Sequence, residues 1–126
     1  MRLLVVDDSF TMRRLLIRAL RMGGLEFSDV KEAGDGLEAL AAVGKDPPEL
    51  IICDINMPKL DGLKFLAALR KLYNSSQCKI VMLTAKAAKA TEEAARKAGA
   101  DGFLAKPFVA EEIAQQIHQI IHGRPK

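Results

Sequence analysis

The chain has 126 residues, which fits one domain spanning 1–126 and is too short for two ordinary ones. Its 49% apolar and 28% charged content is that of a folded globular chain, and no apolar run approaches the roughly 20 residues of a membrane span. A net charge of +3, 5% aromatics and no recognition motif argue against a nucleic-acid surface, so Arg13, Arg14, Arg18 and Arg21 read as the solvated face of a helix. The N-terminus has one Arg, a short apolar stretch and then two acids; this is not the build of a signal peptide, and a cytoplasmic location is expected.

In chain order, Leu3 to Asp7 reads as a buried strand, and Phe10 to Met22 as a helix stopped by Gly23-Gly24. Asp29 to Ala33 is a short edge strand. Gly36 to Val43 is a helix, with Gly44 as its stop and Pro47-Pro48 as the break. Glu49 to Asp54 is a second buried strand, and Leu60 to Leu72 a helix whose apolar residues recur near period 3.6. After the turn at Asn74-Ser75-Ser76 come a strand at Lys79 to Thr84 and an Ala-rich helix at Ala87 to Ala98, stopped by Gly99. Gly102 to Ala105 is a short strand, and Val109 to His122 the last helix. Five β–α units in strict alternation predict an α/β fold, a parallel sheet with helices on both faces. In that sheet Cys53 and Cys78 fall at opposite ends, too far apart for a disulfide.

Ligands of open α/β sheets bind beyond the carboxyl ends of the strands. Asp7 and Asp8 follow the first strand and Asp54 ends the third. Thr84 ends the fourth, and Lys106-Pro107 follows the fifth. Singly, each has an ordinary explanation. Asp8-Ser9 can cap a helix, Asp54 can belong to a turn, Thr84 can end a strand, and Lys106 can be a surface lysine. Together they bring three carboxylates to one rim, where each raises its neighbours' pKa. A hard divalent cation offsets that repulsion, and Mg2+ is the leading candidate because it prefers oxygen ligands. Held by Asp8, Asp54 and a nearby backbone carbonyl, Mg2+ keeps positions open for water and a phosphate oxygen. Asp54 then has an oxygen with which to accept a phosphoryl group. Lys106 adds a second cation and Thr84 a hydroxyl donor around the spreading charge.

Five segments carry a resemblance. They are LVVDDSFTMRR at Leu4 to Arg14, EAGDGLEAL at Glu32 to Leu40, DINMPKLDG at Asp54 to Gly62, LTA at Leu83 to Ala85, and AGADGFLAKPF at Ala98 to Phe108. From Met1 to about Gly123 the chain resembles the receiver domain of two-component response regulators, and among these the single-domain chemotaxis regulators. The resemblance implies a flavodoxin-like, doubly wound, five-stranded parallel sheet of order 2-1-3-4-5 with five helices. It implies Asp54 as phosphoacceptor and Asp8 as a direct metal ligand. Asp7 would act largely through water, and Asn56 would offer its backbone carbonyl. Thr84 would move toward the phosphoryl group, Phe103 would be the rotating aromatic of the switch, and Lys106 would contact the phosphoryl. The Lys106–Pro107 peptide would be cis.

The implied protein is a stand-alone regulator of a chemotaxis-type phosphorelay with no output domain. A histidine kinase would be its phosphodonor. A downstream protein would bind the face made by the fourth helix, fifth strand and last helix. A monomer is expected, without nucleic acid or membrane insertion, and catalysing only its own phosphorylation and dephosphorylation. Two positions depart from the chemotaxis relatives: Phe103 stands where they typically have Tyr, and Lys86 where they often have Glu.

An inward helix face built from Ala87, Ala90, Ala94, Ala95 and Ala98 would bury little, and a helix held so lightly can shift in a two-state switch. Three other functions compete. A phosphatase of the haloacid-dehalogenase type would carry Asp-x-Asp after the first strand, where this chain has Asp7-Asp8-Ser9. A flavin-binding flavodoxin would need a Ser/Thr/Gly-rich phosphate loop there. A receiver cut from a longer DNA-binding regulator fits less well with the Met1 start and the absence of a linker.

Overall fold

The computed structural model describes residues 1–44, 47–57, 61–85, 89–106 and 108–122. Its elements are β1 (Arg2–Val6), α1 (Phe10–Met22), β2 (Asp29–Ala33), α2 (Gly36–Val43), β3 (Leu50–Asp54), α3 (Gly62–Leu72), β4 (Lys79–Ala85), α4 (Lys89–Ala98), β5 (Gly102–Lys106) and α5 (Ala110–Ile121). All neighbouring strands are parallel, in the order β2-β1-β3-β4-β5. This is the flavodoxin-like arrangement that the alternation of elements and the resemblance pointed to.

Strand side chains alternate between the two faces of the sheet, and each face has its own core. Leu3, Val5, Leu50, Ile52, Val81 and Leu83 pack under α1 and α5. Leu4, Val6, Ile51, Cys53, Ile80 and Met82 pack under α2, α3 and α4. The central strands are apolar on both faces because both are covered. β2 is an edge strand, and only Ala33 of its five residues is buried.

Caps set the helix starts. Asp35 Oδ1 accepts from the Glu38 N–H at the start of α2. Asp61 Oδ1 accepts from the Lys64 N–H at 2.9 Å, which caps α3 at Gly62; Leu60 lies outside the described residues. A Cβ on Gly62 would lie 2.4 Å from the Asp54 carbonyl oxygen, so only glycine lets α3 start this close to the end of β3.

The Ala-rich helix differs from expectation. Within α4, Ala95 is buried and Ala98 half-buried, but Ala90 and Ala94 face solvent. Ala87 lies outside the described residues. The inward stripe is therefore narrower than a count of alanines suggests.

Candidate functional site

β1 and β3 are neighbours with Val6 opposite Cys53, so Asp7 and Asp54 come side by side at the carboxyl rim. The carboxylate oxygens of Asp7, Asp8 and Asp54 lie within 4.8 Å of one another. Asp7 and Asp54 are buried, and Asp8 is exposed. Ser9 takes the N-cap of α1, its Oγ accepting from the Met12 N–H at 3.1 Å. That leaves Asp8 for the pocket.

Lys106 closes the opposite side. Its Nζ is 2.8 Å from Asp54 Oδ2 and 3.5 Å from Asp7 Oδ2. Asp54 Oδ1 accepts from the Asn56 N–H at 3.1 Å, which fixes the turn after β3. Asp7 Oδ1 accepts from the Ser9 N–H at 2.9 Å. Asp7 Oδ2 is buried with no hydrogen-bond partner among the described residues.

Burial pushes the Asp7 carboxyl above its ordinary value; the Ser9 N–H and Lys106 oppose this, and Asp54 reinforces it. Burial alone would lower the Lys106 pKa, but its bond to Asp54 and the charges of Asp54 and Asp7 prevail, and the pKa is raised. Among the described residues, three acids against one ammonium, with a buried carboxylate oxygen left over, form a donor set that fits a hard divalent cation.

A family model of the response regulator receiver domain matches residues 3–118. The chain belongs to the response regulator receiver family. As a receiver it is 38% identical over 119 residues to the "Probable chemotaxis protein CheY" of Rhizobium etli, covering 94% of this chain and 91% of that protein. It is also 38% identical over 123 residues to the transcriptional regulatory protein PrrA of Mycobacterium tuberculosis, of which this chain spans about half, 51%. Among solved structures, the chemotaxis response regulator CheY4 of Vibrio cholerae superposes with a TM-score of 0.82 at 33% identity, covering 94% of this chain and 97% of its own. The receiver domain of NtrX from Brucella abortus gives 0.83 at 30% identity, over 97% and 99%.

The remaining expected residues of the receiver site divide. Thr84 is buried in β4 opposite Ala105, one position before the Ala85–Lys106 pair. Phe103 lies opposite Met82, so Thr84 and Phe103 project from the same face, the one α4 covers. The Phe103 ring is half-buried, with the Arg96 guanidinium 4.9 Å from its centroid. Pro107, and with it the cis peptide, and Lys86 lie outside the described residues. Both cysteines are free and buried, and burial raises both thiol pKa values, that of Cys78 to about 11.

The arginine cluster departs from the expected solvated face at one position. Arg13 is not solvated: its side chain is 15% exposed, its Nε bonds Glu32 Oε1 at 2.8 Å, and its Nη1 bonds the Asp7 carbonyl at 2.6 Å. Arg14, with its side chain 61% exposed, behaves as expected of a surface arginine. The signal for Arg13 was its position one turn after the acids, within reach of the rim.

Proposed function

We propose that this chain is a stand-alone response regulator of a chemotaxis-type two-component phosphorelay. It accepts a phosphoryl group on Asp54 from the phosphohistidine of a histidine kinase, in a Mg2+-dependent reaction. The face formed by α4, β5 and α5 then binds a downstream protein. The observation that carries this reading is the convergence of Asp54 with Asp7, Asp8 and Lys106 in a member of the receiver family. The Rhizobium etli relative, matched over 91% of its length, supports the stand-alone form.

In the reaction a carboxylate oxygen of Asp54 bonds to phosphorus while the P–N bond to the donor imidazole breaks. The imidazole leaves with the electron pair and takes up a proton. Asp8, Asp54 and the Asn56 carbonyl, with Asp7 acting largely through water, would hold Mg2+, which would supply positive charge for the phosphoryl oxygens. Lys106, already on Asp54, extends its charge-assisted hydrogen bonding to those oxygens. The Asn56 N–H keeps the Asp54 carboxylate oriented. Thr84 moves toward the new anion, and Phe103 turns inward into the space it leaves. Fully burying a Phe is worth roughly 1.5–3 kcal/mol, while a shift from 1:99 to 99:1 needs about 5.5. The phosphoryl contacts therefore supply the rest. Water later hydrolyses the acyl phosphate. The chain acts on no other substrate, works as a cytoplasmic monomer, and binds neither nucleic acid nor membrane.

Incubation with a small phosphodonor and Mg2+ should add one hydroxylamine-sensitive phosphoryl group to Asp54, read by mass spectrometry. Normal labelling of Asp54→Asn, or labelling undiminished by a chelator, overturns the assignment. A second reading, the receiver part of a longer DNA-binding regulator, is favoured by the equal identity to PrrA over half that protein's length. Immunoblotting the cellular protein decides between them: a band near 13.8 kDa supports the first, and one about twice as large the second.

A further inference from the structure

Asp7 is held on three sides. Its N–H donates to the Ala33 carbonyl at 3.1 Å, its Oδ1 accepts from Ser9, and its carbonyl accepts Arg13 Nη1 at 2.6 Å. The same guanidinium donates through Nε to Glu32, the residue before Ala33 on β2. One rigid fork thus spans the end of β2 and the turn after β1. The Asp7 carbonyl belongs to the planar peptide that joins Asp7 to Asp8. Pinning it fixes the direction in which both residues leave the sheet. The restraint has a force to resist, because both carboxylates face Asp54 and repel it. Glu32 holds the guanidinium away from the carboxylates, so Arg13 acts on the pocket chiefly through geometry.

We propose that Arg13, anchored by Glu32, is a positioning residue that holds the Asp7–Asp8 peptide so that both carboxylates converge with Asp54 on a divalent cation. The inference rests on the cation-dependent phosphoacceptor reading above. Arg14 is an internal control: it reaches Glu32 Oε2 at 3.2 Å from an exposed position.

The test is calorimetric titration of the intact chain with Mg2+, with unfolding in chelator measured on the same samples. Arg13→Met should weaken Mg2+ binding about tenfold or more, the usual scale for partners that orient metal ligands. Arg13→Lys should restore only part of this, because one ammonium cannot reproduce the fork. Arg14→Met should stay within about twofold of wild type, as expected for an exposed pair. A merely structural Arg13 would lower the unfolding midpoint and leave the Mg2+ dissociation constant of the folded protein unchanged; that result overturns the proposal. If Arg13→Met does not fold, Glu32→Gln keeps the guanidinium and removes its anchor. Weaker Mg2+ binding then supports the proposal, and unchanged binding overturns it. Absence of Mg2+ binding by the wild type would instead overturn the cation reading itself, and this inference with it.

Discussion

Two charged clusters sit at opposite ends of the sheet and are built differently. At the carboxyl rim, Asp7, Asp8 and Asp54 converge, the Lys106 ammonium pairs with Asp7 and Asp54, and a buried oxygen of Asp7 has no hydrogen-bond partner among the described residues. At the other end, Arg70 and Asp101 form a knot in which each group is engaged several times. Arg70 bonds Asp101 Oδ2 at 2.7 Å and the carbonyls of Gly99 and Cys78 at 2.9 and 2.8 Å. Asp101 Oδ2 also accepts from the Ile80 N–H at 2.8 Å, and its Oδ1 accepts from the Ser75 hydroxyl. Gly99, at φ +110°, supplies the turn and leaves room for the Arg70 side chain, which a Cβ would meet at 2.9 Å. A buried polar network stabilises a fold when all its members are paired. The knot meets that condition by itself, whereas among the described residues the rim leaves an Asp7 oxygen without a hydrogen bond.

That difference can be broken most severely at the knot. Asp101→Ala leaves Arg70, whose side chain is 13% exposed, without its carboxylate. It should cost about 3–5 kcal/mol, the scale for breaking a buried pair by removing one partner, measured by urea unfolding. A loss under about 1 kcal/mol would mean that the knot is no more structural than a surface pair.

At the rim the sign should reverse. In chelator, Asp7→Asn should raise stability by on the order of 1 kcal/mol, because it removes a carboxylate charge that burial disfavours and Asp54 repels. With saturating Mg2+ the gain should vanish or invert, because a ligand that binds only the folded wild type stabilises it. The pH dependence follows from the raised Asp7 pKa. Between its unfolded value and its higher folded value, the native state binds more protons than the unfolded one, so wild-type stability falls as pH rises through that window. The advantage of Asp7→Asn should therefore be complete above the folded pKa of Asp7 and shrink as pH falls through it toward the ordinary carboxylate range. An advantage that grows on acidification would contradict the strained-pocket account. Lys106 gives the same sign of pH dependence at higher pH. With its pKa raised, its contribution is present below the ordinary lysine value and is lost as pH rises through the folded one.

The smallest effect sharpens the contrast between fixed and movable parts. Arg96→Ala removes the guanidinium from the exposed side of Phe103, and should cost only about 0.5–1 kcal/mol. If Phe103 turns inward on phosphorylation, the same change should favour the activated form. Amide chemical shifts with beryllofluoride should then report residues 89–98, Phe103 and 110–117 at a lower concentration of the mimic. Shifts confined to the residues that touch the mimic would leave the α4–β5–α5 face without a mechanism.

The elements were legible because their signals are local. Helical periodicity, stop residues such as Gly23 and Gly99, and alternation of apolar runs with amphipathic segments placed every strand and helix to within a residue or two. The rim was legible because parallel strands put all their carboxyl ends on one side, so strand-end residues meet without any knowledge of side-chain geometry. What required the tertiary structure involves partners far apart in the chain. Arg13 counts as a clamp rather than a solvated charge because of Glu32, 19 residues on and carried by a different strand. Asp101 is half-buried and satisfied because of Arg70, 31 residues earlier. Ala90 and Ala94 face water although they are as apolar as Ala95, because the rotation of α4 is set by the surface beneath it. Composition and spacing determined which residues could meet at the rim. Only the packed fold decided which of their charges are paired within the chain, because pairing depends on distances that local sequence does not contain.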